Sequence, residues 1–384
     1  MKRLCVLGIT GSIGKNVSSI VLLNPNDFVI KGVCFQKNYQ EFEQIYQLHT
    51  SIEYVAIENE QAYEIIKNKY PELKVFLSSQ GILDLIDIGK YDMVVNALVG
   101  FAGLLPTVHT IEKGIDLALA NKESLVVGGE LIKKLLKKSS SHLYPIDSEH
   151  VALQKLINSH SREDIDSLII TCSGGSFRDK TRKELENVTV KEALNHPSWK
   201  MGAKITIDSA TLVNKGFEII EAYYLFDFPL DKIQVLLHDE SIIHSLIKMK
   251  DNSLVADLGP ADMRIPISYA LYQGHYHEFS NSELSLEELG SIHFRKFDDK
   301  RFPAINLAKK ALKEGGTLPC VLNASNEVCN LAFREEKIKF IEIEEIINKV
   351  MDLHQIRRNP TLKDYIEVND WAKKETDRLI KRGD

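Results

Sequence analysis

The sequence predicts an α/β protein: a doubly wound parallel sheet at the N-terminus, a mixed α+β connective domain after it, and a C-terminal helical bundle. Three observations carry this reading. Short β-branched runs alternate with helix-like stretches over the first 150 residues. From about 148 to 278 strand and helix candidates mix without that regular alternation, and beyond 301 the apolar spacing is helical. Regular strand–helix alternation implies crossover helices covering a parallel sheet.

The strand candidates of the first part are RLCVLGI (3–9), FVIKGVCF (28–35), YVAI (54–57), MVVNALV (93–99), LALA (117–120) and HLYPI (142–146). Helix-like segments lie at 14–23, 39–48, 60–70, 104–113 and 129–138, so residues 1–147 form the first expected domain. In the second, 148–278, the strand candidates are SLIITCS (167–173), KITIDS (204–209), IQVLLH (233–238) and SLVADLG (253–259). Residues 279–300 are polar and weakly periodic, as a surface linker would be. The remainder, 301–384, reads as helices at 303–313, 325–336, 341–354 and 370–382, the first stopped by Gly315-Gly316. Ile343, Ile346, Ile347, Val350 and Met351 share one helical face, as in a small bundle.

Composition narrows the function. Hydrophobic residues make up 44% of the chain and charged residues 27%, ordinary for a globular protein. Lys plus Arg total 48 against 54 Asp plus Glu, a net charge of −6, which argues against a nucleic-acid partner. The five cysteines have no C-x-x-C spacing and read as buried thiols in a reducing compartment. The apolar run after Lys2-Arg3 is too short for a signal peptide or a membrane span, so a cytoplasmic location without membrane contact is expected.

After the first strand comes GITGSIGKN, with Gly8, Gly11 and Gly14 spaced three and three. Small residues between a strand and a helix let the backbone approach a pyrophosphate at the positive helix end, the Rossmann-like arrangement for a dinucleotide. The second strand runs into Phe35-Gln36-Lys37-Asn38 without the acid that NAD sites usually carry. Lys37 would welcome a 2′-phosphate, which favours NADPH; an ordinary surface lysine would read the same.

Residues 143–150 read LYPIDSEH. Asp147 and Glu149 would sit beyond the carboxyl end of a parallel strand, where ligands gather. On extended backbone, residues two apart point the same way, so both carboxylates could meet one cation. All-oxygen ligation would suit Mg²⁺ or Mn²⁺, although a lone D-x-E is more often a solvated loop. In DSATLVNKGFEIIEA (208–222) Asn214, Lys215 and Glu218 fall within one helical turn among apolar neighbours, either a surface ion pair or part of a site. Ser173-Gly174-Gly175 could form a backbone nest for an anion, or only a turn. HPSWKMG (196–202) offers a lid, or a core tryptophan beside a turn.

Together these segments closely resemble the 1-deoxy-D-xylulose 5-phosphate reductoisomerase family over essentially the whole chain. The resemblance rests on LGITGSIG, NALVGFAGLLPT, LANKESLV, PIDSEH, SGGSFRD, HPSWKMGAKITIDSATLVNKGFEIIEA and LNASNEV in this order. It implies an NADPH-binding domain, a connective catalytic domain and a C-terminal helical domain, assembled as a homodimer. By matching motifs it implies cofactor contacts from Thr10, Gly11, Ser12 and Ile13, assisted by Gln36, Lys37, Asn38, Asn121, Glu123, Gly202 and Met263. Asp147, Glu149 and Glu218 would ligate Mg²⁺ or Mn²⁺, with Lys122 and Ser148 on substrate oxygens nearby. Ser173, Ser209, Asn214 and Lys215 would grip the phosphate of the sugar substrate, and His196, Trp199 and Met201 would form a flap. The implied reaction rearranges 1-deoxy-D-xylulose 5-phosphate and reduces the product to 2-C-methyl-D-erythritol 4-phosphate. Two positions depart from the family pattern: Gln36 replaces a usual glycine and Ala261 a usual proline. Both bear on cofactor affinity and turnover and neither on the metal or phosphate groups. Another NADPH-dependent dehydrogenase would explain the first domain but not three carboxylates beside a Ser/Asn/Lys cluster.

Overall fold

The computed structural model describes residues 1–197, 199, 201–278 and 283–382. The chain divides into two compact units, the first made of Met1–Asn121, Ile132–Asp147 and a segment starting at Asp262, the second of the remainder.

The first unit is built on a seven-stranded parallel sheet. Its strands are β1 (Lys2–Leu7), β2 (Phe28–Phe35), β3 (Tyr54–Ile57), β4 (Lys74–Leu77), β5 (Met93–Asn96), β6 (Asp116–Leu119) and β7 (Leu143–Pro145). The spatial order is β4-β3-β2-β1-β5-β6-β7, reversing direction at β1/β5 as a doubly wound sheet does. The central strands are buried on both faces and read as continuous apolar runs, for example VCF in β2 and MVV in β5. β4 was not among the strand candidates, because Lys74 is exposed and only three of its residues are apolar. Helix Ser12–Leu23 starts directly on the glycine turn. A Cβ at Gly14 would lie 2.4 Å from the Gly8 carbonyl oxygen, so the helix start packs on the turn only with glycine there.

The segment from Asp262 belongs to this unit by packing, whereas the sequence grouped it with the connective domain. Ile267, Ala270 and Leu271 of helix Arg264–Leu271 join the core formed by β1, β2 and the glycine-loop helix. Lys2 Nζ donates to the Leu271 carbonyl at 3.1 Å and to Gln273 Oε1 at 2.8 Å, and Tyr272 donates to Asp27 at 2.6 Å. Conversely, Lys122–Leu131, the start of helix Lys122–Leu136, groups with the second unit, and the helix leaves helical geometry at Gly128.

The second unit holds a mixed five-stranded sheet of β8 (Ile165–Cys172), β9 (Ile233–His238), β10 (Ile243–Met249), β11 (Leu254–Leu258) and β12 (Phe294–Arg295), ordered β11-β10-β8-β9-β12. Only β8 and β9 pair in parallel. KITIDS, expected as a strand, is instead helix Ala203–Ala210. Its β-branched residues favour a strand locally, but Thr206, Ile207 and Asp208 are all buried, which alternation would forbid. Asp147–Glu149 is not extended either: Ser148 opens helix Ser148–Asn158.

Of the expected linker, 279–282 lie outside the described residues. The rest is docked: Ser285 caps the short helix Leu286–Leu289, and β12 pairs with β9. Arg295 fixes it there, forking onto Asp239 at 2.9 and 2.6 Å and reaching Asp179 at 2.7 Å. The C-terminal helices are Ala304–Glu314, Leu318–Arg334, Glu342–Leu353 and Leu362–Arg382. The second and fourth start about two turns before the sequence expectation, and Pro319 is tolerated because it lies in the first turn. No helix among the described residues is long and apolar enough to cross a membrane.

Candidate active site

In the first unit Thr10 to Ile13 and Gln36 to Asn38 follow the carboxyl ends of β1 and β2, while Asn121 follows β6 and Met263 precedes helix Arg264–Leu271. Gly11 is the extended N-cap of helix Ser12–Leu23, so Ser12 and Ile13 form its first turn, where backbone N–H groups lack helical partners. Gln36, Lys37 and Asn38 follow β2 and are exposed. Asn38 has a local duty as well, accepting from the Glu41 N–H at 3.2 Å to cap the next helix. Asn121 is buried and donates to the carbonyls of Leu98 and Gly100 at 2.8 and 2.9 Å, so its amide orders the loop after β5. Met263 packs partly against the core of the same unit.

The second unit carries most of the charged candidates. Glu218 lies in helix Val213–Phe226 and is 1% exposed; Lys215, one turn earlier, is 3% exposed. Lys215 Nζ donates to Glu149 Oε1 at 2.7 Å, to the Thr171 carbonyl at 2.6 Å and to Glu218 Oε2. Lys122 Nζ meets Glu218 Oε1 at 3.1 Å, and Asn214 donates to the same oxygen. Ser148 donates to Glu149 Oε2 at 2.6 Å. Burial draws the Lys215 pKa down, but the Glu149 and Glu218 carboxylates outweigh it and hold the ammonium well above its ordinary value.

Asp147 ends the first unit and is two peptide bonds from Glu149. Carboxylate oxygens of Asp147, Glu149 and Glu218 lie within 4.8 Å of one another. The helical start at Ser148 brings about the convergence that an extended backbone was expected to give. Carboxylates this close repel unless a cation relieves them, and the ammonium groups of Lys215 and Lys122 do so here. Three oxygen donors with no sulfur or imidazole among them fit a hard divalent ion such as Mg²⁺.

The phosphate candidates surround the end of β8. Ser173 Oγ accepts from the Gly175 N–H at 3.2 Å and lies 3.1 Å from His196 Nε2. Gly175 has φ +68°, and a Cβ there would lie 2.5 Å from the Ser209 carbonyl oxygen. The turn after β8 therefore abuts the end of helix Ala203–Ala210 at the Ser209 backbone. Asn214 and Lys215 begin the next helix, and their polar ends are turned to the carboxylates. His196 Nδ1 accepts from the Trp199 N–H at 2.9 Å, which leaves Nε2 to carry the proton toward Ser173. Burial and the nearby Arg178 charge push the His196 pKa down to about 4, in keeping with a neutral ring. Met201 is half-buried beside Gly202, the N-cap of helix Ala203–Ala210; Ser198 and Lys200 of the same loop lie outside the described residues.

Several residues had no role assigned from the sequence. His150 Nε2 donates to the Glu218 carbonyl at 2.9 Å while its Nδ1 lies 3.4 Å from Glu221, so it ties the helix of Glu149 to that of Glu218. Lys204, Asp208, Asn326 and Asn330 form a second polar group. The available signal was Asn326 and Asn330 of LNASNEVCN, two polar residues inside a largely buried helix.

Three family models match the chain. Residues 4–129 match 1-deoxy-D-xylulose 5-phosphate reductoisomerase, 143–226 its C-terminal domain, and 258–375 the DXP reductoisomerase C-terminal domain. The 1-deoxy-D-xylulose 5-phosphate reductoisomerase of Bacillus subtilis (strain 168) is 44% identical over 372 residues, covering 96% of this chain and 97% of the relative. That of Geobacillus sp. (strain WCH70) is 43% identical over 371 residues with the same coverage. The solved enzyme from Zymomonas mobilis with NADPH superposes with a TM-score of 0.91 at 33% identity, covering 99% of both chains. A DOX-P reductoisomerase with NADPH, fosmidomycin and magnesium also gives 0.91 at 33% identity, covering 99% of this chain and 98% of that one. With identity at this level across nearly its full length, the chain belongs to the 1-deoxy-D-xylulose 5-phosphate reductoisomerase family.

Proposed function

We propose that the chain converts 1-deoxy-D-xylulose 5-phosphate to 2-C-methyl-D-erythritol 4-phosphate with NADPH and a divalent cation, a step of non-mevalonate isoprenoid synthesis. The observation that carries this reading is the convergence of Asp147, Glu149 and Glu218 beside two buried lysines, in a chain of this family. These three carboxylates hold Mg²⁺ or Mn²⁺. When bound, the cation supplies positive charge to the substrate's carbonyl and hydroxyl oxygens, and NADPH supplies the hydride. Lys122 and Ser148 adjoin the carboxylates, and they orient the same substrate oxygens and stabilise negative charge that develops there. With the carboxylate charge met by a divalent ion, Lys215 can turn its ammonium to the substrate phosphate, alongside Asn214, Ser173 and Ser209. Gripping the phosphate away from the reacting carbons holds the substrate in register. His196, Trp199 and Met201 close over it and exclude water.

The first unit binds NADPH. Thr10, Gly11, Ser12 and Ile13 take the pyrophosphate side, Gln36, Lys37 and Asn38 the adenosine ribose and its 2′-phosphate. Asn121, Glu123, Gly202 and Met263 take the nicotinamide side. The working form is a cytoplasmic homodimer, a location supported by five buried free thiols. The test is optical NADPH oxidation with 1-deoxy-D-xylulose 5-phosphate, with and without Mg²⁺ or Mn²⁺. Oxidation that ignores both the sugar phosphate and the cation would end this reading.

A further inference from the structure

Lys204 lies outside the roles assigned so far, yet it joins two of them. Its ammonium is 2.5 Å from Glu123 Oε1 and 3.1 Å from Asp208 Oδ2, and the side chain is 18% exposed. Asp208, itself 3% exposed, is fixed from the other side: its Oδ1 accepts from Asn326 at 2.8 Å and from Asn330 at 2.7 Å. Asn330 also donates to the Lys204 carbonyl at 2.9 Å. Both asparagines are fully buried in helix Leu318–Arg334. Buried charges persist where they are paired and hydrogen-bonded; here the ammonium meets two carboxylates, and Asp208 accepts from two amides as well. Burial draws the Lys204 pKa down but the Asp208 and Glu123 carboxylates raise it further, and burial draws that of Glu123 up but the Lys204 ammonium lowers it.

We infer that Lys204 is a positioning residue, holding the Glu123 carboxylate toward the cofactor and holding helix Ala203–Ala210 against helix Leu318–Arg334. That short helix starts at Gly202, where the flap segment ends, and carries Ser209 near its other end. A single ammonium thus fixes a cofactor-side carboxylate and the mount of both the flap and a phosphate-binding serine. The inference rests on the proposed roles of Glu123 and Ser209.

The experiment measures the NADPH dissociation constant of the full-length protein, together with substrate KM and kcat in Mg²⁺. Glu123→Gln and Lys204→Met are each expected to weaken NADPH about ten-fold or more, as losing a supporting contact typically does. The double variant is expected to be no weaker than the worse single, because both cut one contact. Lys204→Arg restores most of the affinity. Asn326→Ala, which cuts only the mount, raises substrate KM and leaves NADPH binding within about two-fold. If Glu123→Gln binds NADPH normally, the reading of Glu123 fails and the inference falls with it. If Glu123→Gln is weakened but Lys204→Met is not, or if Asn326→Ala weakens NADPH as much as Lys204→Met, the positioning role alone is overturned. Should Lys204→Met not fold, Lys204→Gln takes its place, keeping a donor for Asp208 while removing the charge from Glu123.

Discussion

Glu218 is almost fully buried, and its two oxygens are met by Lys122, Asn214 and Lys215. Removing one partner from such a group leaves a buried charge uncompensated, which typically costs about 3–5 kcal/mol. Lys215→Met is therefore expected to melt well below the parent protein in chelator, with Mg²⁺ recovering part of the loss. Thermal melts with and without the ion check this, and an unchanged melting temperature would show that Lys215 is not what neutralises the carboxylates. Glu149→Gln and Asp147→Asn are expected to keep the fold and lose metal-dependent turnover by about a hundred-fold. Near-normal rates in Mg²⁺ would remove them from the ligand set. His196 brings a pH dependence whose sign follows from its depressed pKa of about 4. The unfolded chain takes up its proton near pH 6.5 and the folded protein only near 4. The His196 contribution to stability is thus complete above about 6.5 and lost as the pH falls toward 4. Titrating the ring by NMR tests this, and a midpoint near 6.5 would contradict the neutral ring that its hydrogen bonds describe. At this scale the sequence was informative where two charged residues are close along the chain. Asp147 and Glu149 were legible as a pair because two peptide bonds separate them. The contact of Lys215 with Glu149 was not, because the two are 66 positions apart in the chain.

Helix Ala203–Ala210 shows what local pattern leaves open. Ile205, Thr206 and Ile207 favour a strand by propensity, and the i,i+4 pair Lys204–Asp208 that favours a helix becomes visible only once helical spacing is assumed. Contact with helix Leu318–Arg334 decides between them, and no local pattern contains that partner. The glycine loop was legible for the opposite reason, since close approach of helix to turn is written in the residue type itself. The turn at Gly174-Gly175 belongs to that kind. Gly175→Ala combines a left-handed φ with a Cβ 2.5 Å from the Ser209 carbonyl oxygen, so the turn must move away from the helix end. Strain of this kind costs about 1–3 kcal/mol. Substrate KM is expected to rise while the NADPH dissociation constant stays put, and a normal KM would separate Ser173 and Ser209 from the phosphate grip.

At the scale of the whole chain, strand–helix alternation made the parallel sheet legible, but the order of packing is not the order of sequence. Lys122–Leu131 groups with the second unit and the segment from Asp262 with the first, because apolar faces sort by burial whatever their position along the chain. The 148–278 expectation missed this: Ile267, Ala270 and Leu271 carry a helical stripe but no mark of the core they enter. A fragment ending at Asp147 is expected to be poorly soluble and to bind NADPH weakly, while a chain extended through the helix ending at Leu271 regains yield. Full solubility and cofactor binding by the shorter fragment would show that the returning helix is dispensable. The same return sets a timetable for biosynthesis. Strand β7 ends at residue 145 and helix Arg264–Leu271 ends at 271, so 271 − 145 = 126 further residues must be polymerised before the first core can close. At about 5–20 residues per second the nascent sheet waits roughly 6 to 25 seconds on the ribosome with its apolar flank uncovered. Over that interval a chaperone can capture the chain.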